Sequence, residues 1–264
     1  MERTKKLSLW EQLKIACLKP KEYVKLLEVG KGKVICFFLI ITFVLTFLGY
    51  GVDMLGFNAS VGGLKNFFLN RLPAFELRDG QLQVETPLDF YIGTVHIVAD
   101  TSKDTVSKKD LKKNDVQEIF FVKKEVAVKN NVGQTVLYKV PFSLEKGIVL
   151  NNAGLVKMIP LFHMMALIVF FAEWVAVSVV YLVFCGFISI FLFVNMKIQD
   201  PSIRLGKIFK LSIYARVIFE LIETIGKTAG YSFFSGLIWL LISYLGSYQL
   251  LGMAFQKPKE KKES

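Results

Sequence analysis

The stretch VICFFLIITFVLTFL, Val34 to Leu48, contains no charged residue and decides the fold class. A helix needs about 20 predominantly apolar residues to cross the hydrocarbon core of a bilayer. This run continues through Gly49-Tyr50-Gly51 to Leu55, further apolar runs begin at Ile159, and the whole chain is 53% hydrophobic. The sequence therefore predicts a helical membrane protein.

The distribution of apolar runs predicts four transmembrane helices. As one helix, residues 159–194 would be roughly 54 Å long, well beyond a bilayer core of about 30 Å. This run is therefore either one long helix or a tight hairpin. The predicted order is a basic amphipathic segment (1–33), helix 1 (34–55), a β-rich domain (56–158), long helix 2 (159–194), helices 3 and 4 (195–255) and a basic tail (256–264).

The positive charge indicates how the chain is oriented. The formal net charge is +11, and residues 1–33 carry nine Lys/Arg against four acids. Basic clusters beside apolar runs mark the cytoplasmic side, and a single pass through residues 159–194 keeps every such cluster inside. We therefore expect both termini in the cytoplasm of a bacterial cell. Nucleic-acid binding is excluded because no groove-reading or base-stacking motif accompanies the charge.

Residues 8–29 have an amphipathic pattern that Pro20 interrupts. Leu9, Trp10 and Leu13 share one helical face, and in the second half Tyr23, Leu26 and Leu27 do the same. The pattern predicts two short helices on the cytoplasmic surface of the membrane. The alternative is a solvated basic tail.

The stretch PAFELRDGQLQVE, Pro73 to Glu85, opens a polar segment between the first two apolar runs. Apolar and polar residues alternate around Asp79-Gly80, which is a β-hairpin signal. Residues 94–99, 116–128 and 134–140 are rich in β-branched residues. We expect a small extracytoplasmic domain of four to six strands. None of the three cysteines lies in it, which fits a bacterial surface.

Few residues in the sequence offer chemistry. The two histidines are His96, in a predicted strand where a structural role is expected, and His163, at the start of the long helix. No spacing of His, Cys, Asp or Glu is typical of a metal site, and no nucleophile motif is present. We expect no catalytic residue, no metal and no cofactor.

The ionisable residues inside apolar runs are the better site candidates, because charge in a bilayer is costly and usually faces protein or water. Arg216 and Glu220 are one helical turn apart and can pair, and Glu173 can join Arg216 if the two lie at similar depth. Three interpretations stay open: a structural ion pair, a Glu173 that lies beyond the hydrocarbon, and a pathway for protons or substrate.

Several motifs resemble one known family. They are PKEYVKLLEVGKGK before the first helix, FELRDGQL followed by the Pro87 segment, and HIVADTS, which ends in Asp100-Thr101-Ser102. In these and in its order of segments the chain resembles a family of bacterial membrane proteins known as domain of unknown function 1189. No catalytic residues come with the resemblance. Some members are labelled as maltodextrin-utilisation proteins, which implies a link to sugar uptake.

These observations favour a non-enzymatic integral membrane protein that is an accessory or regulatory component of a transport or cell-envelope system. Its partners would be the lipid bilayer and a membrane or envelope protein met by the external domain, and a homo-oligomer stays open. The alternative is a small transporter or transporter subunit that uses the intramembrane charges. A third hypothesis is sugar binding by the external domain.

Overall fold

A computed structural model of the chain describes residues 7–92, 95–107, 117–130, 136–142, 147, 149–198 and 202–255. The chain divides into a helical unit, Met1–Met54 with Leu167–Ser264, and a β unit, Leu55–Ala166. The helices are α1 Leu9–Leu18, α2 Lys31–Thr46, α3 Val52–Ser60, α4 Leu64–Asn66, α5 Asn152–Lys157, α6 Ile159–Lys197, α7 Leu205–Ala215, α8 Val217–Thr228 and α9 Leu237–Phe255. The predicted tail 256–264 lies outside the described residues.

Among the described residues, three helical stretches are long and apolar enough to cross a membrane. They are Lys31–Ser60, Ile159–Lys197 and Leu237–Phe255. The third of the four expected spans corresponds to α7 and α8, which are not among these three. Charged side chains interrupt the apolar surface of α7 and α8, at Lys207, Lys210, Arg216, Glu220, Glu223 and Lys227.

The long run forms one continuous helix, α6, of 39 residues. Of the two alternatives that the sequence left open, the tight hairpin is wrong. The reason is local: the run has no turn-forming pair at its centre, and Pro160 occupies the first turn, where a missing backbone N–H costs nothing.

The N-terminal segment forms two short helices, as its pattern predicts. Ser8 and Glu11 form a reciprocal cap at the start of α1, and a 3₁₀ helix, Pro20–Glu28, follows the break. The segment packs within the helical unit and contacts α7 and α9. Gln12 is fully buried there and accepts a 2.8 Å hydrogen bond from the Tyr214 hydroxyl. The amphipathic pattern predicted a segment at the membrane surface, with a solvated tail as the alternative, and this packing against α7 and α9 was not predicted.

Thr42 on α2 is a polar junction between helices of the helical unit. Its Oγ1 accepts hydrogen bonds of 3.0 Å from the Trp174 indole and 3.0 Å from the Ser178 hydroxyl, both on α6. Its own hydroxyl donates to the Phe38 carbonyl at 3.1 Å. Small hydroxylated residues commonly join helices in this way in membranes.

The described residues of the β unit form two sheets. Its strands are β1 Phe75–Arg78, β2 Gln81–Val84, β3 Leu88–Ile92, β4 Val95–Ala99, β5 Gln117–Phe121, β6 Glu125–Asn130, β7 Val136–Pro141 and β8 Leu150–Asn151. The smaller sheet has the order β2-β1-β8, and the larger sheet has the order β3-β4-β5-β6-β7. Pairing is antiparallel except between β4 and β5, which are parallel.

The predicted hairpin is confirmed. Arg78 pairs with Gln81, so Asp79 and Gly80 form a two-residue turn. Both have positive φ, 51° and 74°, which is the backbone that Asp-Gly favours in tight hairpins. The described residues contain more than the four to six strands expected. The run 116–128 divides at Lys123-Lys124 into two strands, and β3 and β8 were not foreseen.

Asn152, at the start of α5, binds several backbone groups of the β unit. Its amide donates to the Phe68 carbonyl at 2.9 Å and to the Pro73 carbonyl at 3.2 Å, while its Oδ1 accepts from the Phe75 N–H at 3.0 Å. One side chain therefore fixes the chain that leads into β1.

Candidate functional site

Three ionisable side chains lie in one line across the larger sheet. His96 on β4 is the Cα partner of Glu118 on β5, and Glu118 is the partner of Lys129 on β6. Partners on adjacent strands project from the same face of a sheet, and each of these side chains is at most 2% exposed. We call His96, Glu118 and Lys129 the polar row.

Glu118 joins the other two members of the row. Its Oε1 lies 3.2 Å from His96 Nδ1, and its Oε2 accepts a 3.0 Å hydrogen bond from Lys129 Nζ. A buried carboxylate is costly unless cationic or N–H donors occupy its oxygens. Here both oxygens have such partners, so the charge is compensated.

His96 also meets a second carboxylate. Its Nε2 lies 2.5 Å from Oδ1 of Asp89 on β3, a side chain that is 64% exposed. The ring of Tyr91, directly opposite on β3, stacks on the imidazole with the ring centroids 4.4 Å apart. These contacts raise the pKa of His96. The hydrogen bond to Asp89 is the main cause, burial of the ring opposes it, and the bond to Glu118 adds to the rise.

A cavity of about 160 Å³ borders the polar row. Asp89, Asp100 and Lys103 line it together with His96 and Glu118, and the remaining lining residues are apolar. Within the part of the chain that the structure describes, no group of three His, Cys, Asp or Glu side chains could hold a metal ion. The chemistry that the arrangement supports is the uptake and release of a proton at His96.

The opposite face of the same sheet is apolar. Two rows of Cα partners cross it, and they consist of Phe90, Ile97, Ile119, Val128 and Tyr138 in one row and Phe121, Val126 and Val140 in the other. We call these eight residues the apolar face. Phe67 contacts its β3 end at Phe90, with ring centroids 6.2 Å apart. At the β7 end, Tyr138 is 60% exposed and Val140 is 52% exposed.

The charges singled out from the sequence lie in the helical unit. Arg216, which is 3% exposed, forms an ion pair with Glu220, and its guanidinium lies over the Phe184 ring at 4.6 Å. Glu173 is exposed. It precedes Phe184 by eleven residues on α6, which is about 16 Å along the helix. The structure thus brings Arg216 and Glu220 together and does not bring Glu173 to them.

Most of the polar row was not predicted from the sequence. His96 was expected to be structural, whereas Asp89, Glu118 and Lys129 were not singled out. A signal was present in β5, where Glu118 and Phe120 are buried and alternate with Ile119 and Phe121. This alternation places a carboxylate on the inward face of a strand. The apolar content of the run hid the pattern.

The fold and these sites define the class of the protein. It is a mostly helical membrane protein with a β-rich region that carries a buried row of ionisable side chains. The chain belongs to the family described as "Protein of unknown function (DUF1189)", whose model matches residues 10–251. This match confirms the family that the sequence motifs indicate. No curated protein and no solved structure matches the chain.

Proposed function

We propose that the chain is a non-enzymatic accessory or regulatory component of a transport or cell-envelope system, and that its β unit contacts a membrane or envelope protein. The apolar face is the observation that carries this proposal. In a sheet with one solvated side, the apolar residues normally face the core and the polar residues face water. Here the ionisable row is buried, and apolar side chains stay open at the β7 end.

The β7 edge adds to this surface. Among the described strands, β7 pairs only with β6, so the other side of β7 bears backbone groups that a partner strand can use. Tyr138 and Val140 are exposed beside that edge. Pro141 ends the strand and limits added pairing to the residues before it. A partner protein that adds a strand would cover the open apolar side chains at the same time.

A photoreactive side chain at Tyr138, activated in native membranes, tests the contact. The matched control carries the same side chain at Gln83, which is exposed on β2. The proposal predicts one stoichiometric membrane or envelope protein crosslinked from Tyr138, and its loss in a Val140→Glu variant that reaches the membrane at normal level. Equal capture at both positions contradicts the proposal. If Tyr138 crosslinks only to another copy of this chain, the partner is a second copy and not a different protein.

We also infer that the chain crosses the membrane four times, with α7 and α8 as the third span. Arg216, between them, keeps helical backbone angles (φ −79°, ψ −22°). Lys210 on α7 donates to the Leu27 carbonyl, just before α2, at 2.7 Å. Thr228, at the end of α8, donates to the Leu48 carbonyl, just after α2, at 3.1 Å. These two contacts support a helix pair that runs beside α2 over its full length.

The charges on α7 and α8 have partners that reduce the cost of a crossing. Arg216 pairs with Glu220. Glu223 pairs with Lys227 at 2.6 Å and accepts a 3.1 Å hydrogen bond from the Trp239 indole. Paired charges that face neighbouring helices are the form in which ionisable residues occur within membranes. Four spans in a bacterial cell membrane leave both termini in the cytoplasm and the β unit outside, in line with the basic clusters.

Transport is the second candidate function, and Arg216 is the observation that favours it. Its Nε is buried and has no hydrogen-bond partner among the described residues, and incompletely satisfied buried cations often mark functional positions. Glu220→Gln should then abolish uptake of a substrate while Glu173→Gln leaves it intact. Equal uptake in the two variants contradicts this candidate. Only the family resemblance links it to maltodextrin.

A further inference from the structure

The contacts of His96 fix how many protons its ring carries. Nδ1 faces the Glu118 carboxylate at 3.2 Å, and Nε2 faces the Asp89 carboxylate at 2.5 Å. An ionised carboxylate only accepts hydrogen bonds, and a neutral imidazole has a single N–H to donate. Both contacts are hydrogen bonds only when both ring nitrogens carry a hydrogen, so His96 fits this site as a cation.

The two carboxylates differ in what happens when that proton leaves. Glu118 is 1% exposed, whereas the Asp89 side chain is 64% exposed. A buried carboxylate without its donor costs far more than an exposed one, which water can hydrate. A neutral His96 therefore keeps its one N–H on Glu118 and gives up the bond to Asp89.

Asp89 lies on β3, which is an edge strand of the larger sheet. Two side chains of this short strand, Asp89 and Tyr91, contact the same imidazole. Both contacts favour a cationic ring, since a carboxylate accepts from it and an aromatic face attracts it. We propose that His96 is a proton-controlled side-chain attachment of the edge strand β3. The protonated ring binds Asp89 and Tyr91 and so holds β3 to the rest of the larger sheet.

Other charged groups near His96 also influence whether its ring is charged. Lys129 on β6 donates to the far oxygen of Glu118 at 3.0 Å, on the side away from His96. Asp100 and Lys103, in the segment after β4, line the same cavity with opposite charges. The carboxylates of Asp89, Glu118 and Asp100 outnumber the cations, so the surroundings favour a charged His96.

Loss of the side-chain attachment between His96 and Asp89 has a defined structural result. β3 stays paired with β4 through its backbone, but its side-chain attachment to the centre of the sheet is lost. Asp89 and His96 both line the cavity beside the polar row, so their separation opens that cavity to solvent. The proposal is independent of the partner contact proposed above, because it concerns β3 and the test needs no partner.

The test uses full-length protein in detergent micelles, with His163→Gln as the background. The chain has two histidines, and His163 is exposed on α6, so His96 then gives a single imidazole signal. Nitrogen NMR reports its protonation, and hydrogen exchange with mass spectrometry reports the amides of β3 and, as an internal reference, of β6. Exchange rates are corrected for the intrinsic effect of pH.

The proposal predicts that His96 is an imidazolium at pH 7. It also predicts that amide exchange in β3 rises over the same pH range in which His96 loses its proton. Across that titration, β3 exchange should rise about tenfold relative to β6, because one hydrogen bond to a charged group is lost. In Asp89→Asn the side-chain amide can donate to a neutral ring or accept from a charged one, so the β3 profile should become flat. Asp104→Asn, in an exposed pair with Lys124, should keep the wild-type profile.

Two results would overturn the proposal. One is a His96 ring that is neutral at pH 7 in the folded protein. The other is a β3 profile in Asp89→Asn that still follows pH as the wild type does. Both readouts come from a folded variant, because the same exchange data show whether β6 stays protected.

Discussion

Glu118→Gln should strongly destabilise the β unit, although it changes the size of the side chain very little. The change keeps the shape of a side chain that is 1% exposed and removes its charge. Lys129, whose Nζ lies 3.0 Å from Oε2, and His96, whose ring lies 3.2 Å from Oε1, then lose the carboxylate between them. Removing one partner of a buried ion pair typically costs about 3–5 kcal/mol, because the remaining charge stays buried.

Hydrogen exchange in the β5 and β6 amides measures this loss directly. Since about 1.4 kcal/mol corresponds to a factor of ten in an equilibrium constant, a cost of about 3 kcal/mol or more should speed exchange at these amides at least about a hundredfold. The assay can use full-length protein in detergent, because exchange measured on individual peptides reports the β unit separately from the helices.

Glu76→Gln is the matched control. Glu76 lies on β1 and pairs with Arg78 at 2.7 Å, with 42% and 62% of the two side chains exposed. An exposed pair contributes about 0–1 kcal/mol, so this variant should change exchange little. Adding Lys129→Met to Glu118→Gln should recover part of the loss by removing a buried cation. Equal exchange in Glu118→Gln and Glu76→Gln would refute the argument that the polar row is buried and charged.

Three further outcomes follow from particular contacts. Asn152→Ala should cost about 1–3 kcal/mol, because it leaves backbone groups without their partner, and exchange in residues 67–78 should quicken; unchanged exchange there contradicts the role of Asn152. Thr42→Val removes the acceptor for Trp174 and should lower the unfolding temperature in detergent, as interhelical hydrogen bonds contribute about 0.6 kcal/mol on average, whereas Thr42→Ser should not. The pKa of His96 is raised on folding, so its stabilisation is complete below the unfolded pKa of about 6.5 and is lost as pH rises through the folded pKa. Unfolding of the wild type should show this slope and that of His96→Gln should not.

The sequence predicted the elements whose cause is local. Residues 34–55 and 159–194 are apolar over lengths that a membrane helix requires, and α2 and α6 lie there. Asp79-Gly80 has the backbone preference of a tight hairpin, and the turn forms. Composition and short-range conformational preference act within a few residues, so a single sequence contains the information.

The polar row could not be predicted in this way, because its members meet through strand register. His96 and Glu118 are 22 residues apart and Glu118 and Lys129 are 11 apart. The first contact depends on the parallel pairing of β4 and β5 and the second on the antiparallel pairing of β5 and β6, and no local pattern specifies either register. The same holds for Glu173, whose separation from Arg216 depends on how α6 packs against α7.

Burial of the N-terminal segment has a similar cause. Gln12 is an ordinary surface residue by type, and its burial depends on the Tyr214 hydroxyl that meets it across the helical unit. An amphipathic pattern shows that one face is apolar, but it does not show whether protein or lipid covers that face.

Cysteine labelling in intact cells tests the central claim of four spans with an external β unit most directly. Native Cys17, Cys36 and Cys185 are replaced, and single cysteines at Gln83, Arg204 or Ser235, all exposed, meet a membrane-impermeant maleimide. The account predicts that Gln83→Cys and Ser235→Cys react in intact cells and that Arg204→Cys reacts only after permeabilisation. Arg204→Cys and Ser235→Cys reacting from the same side would contradict it, because α7 and α8 would then not cross the membrane.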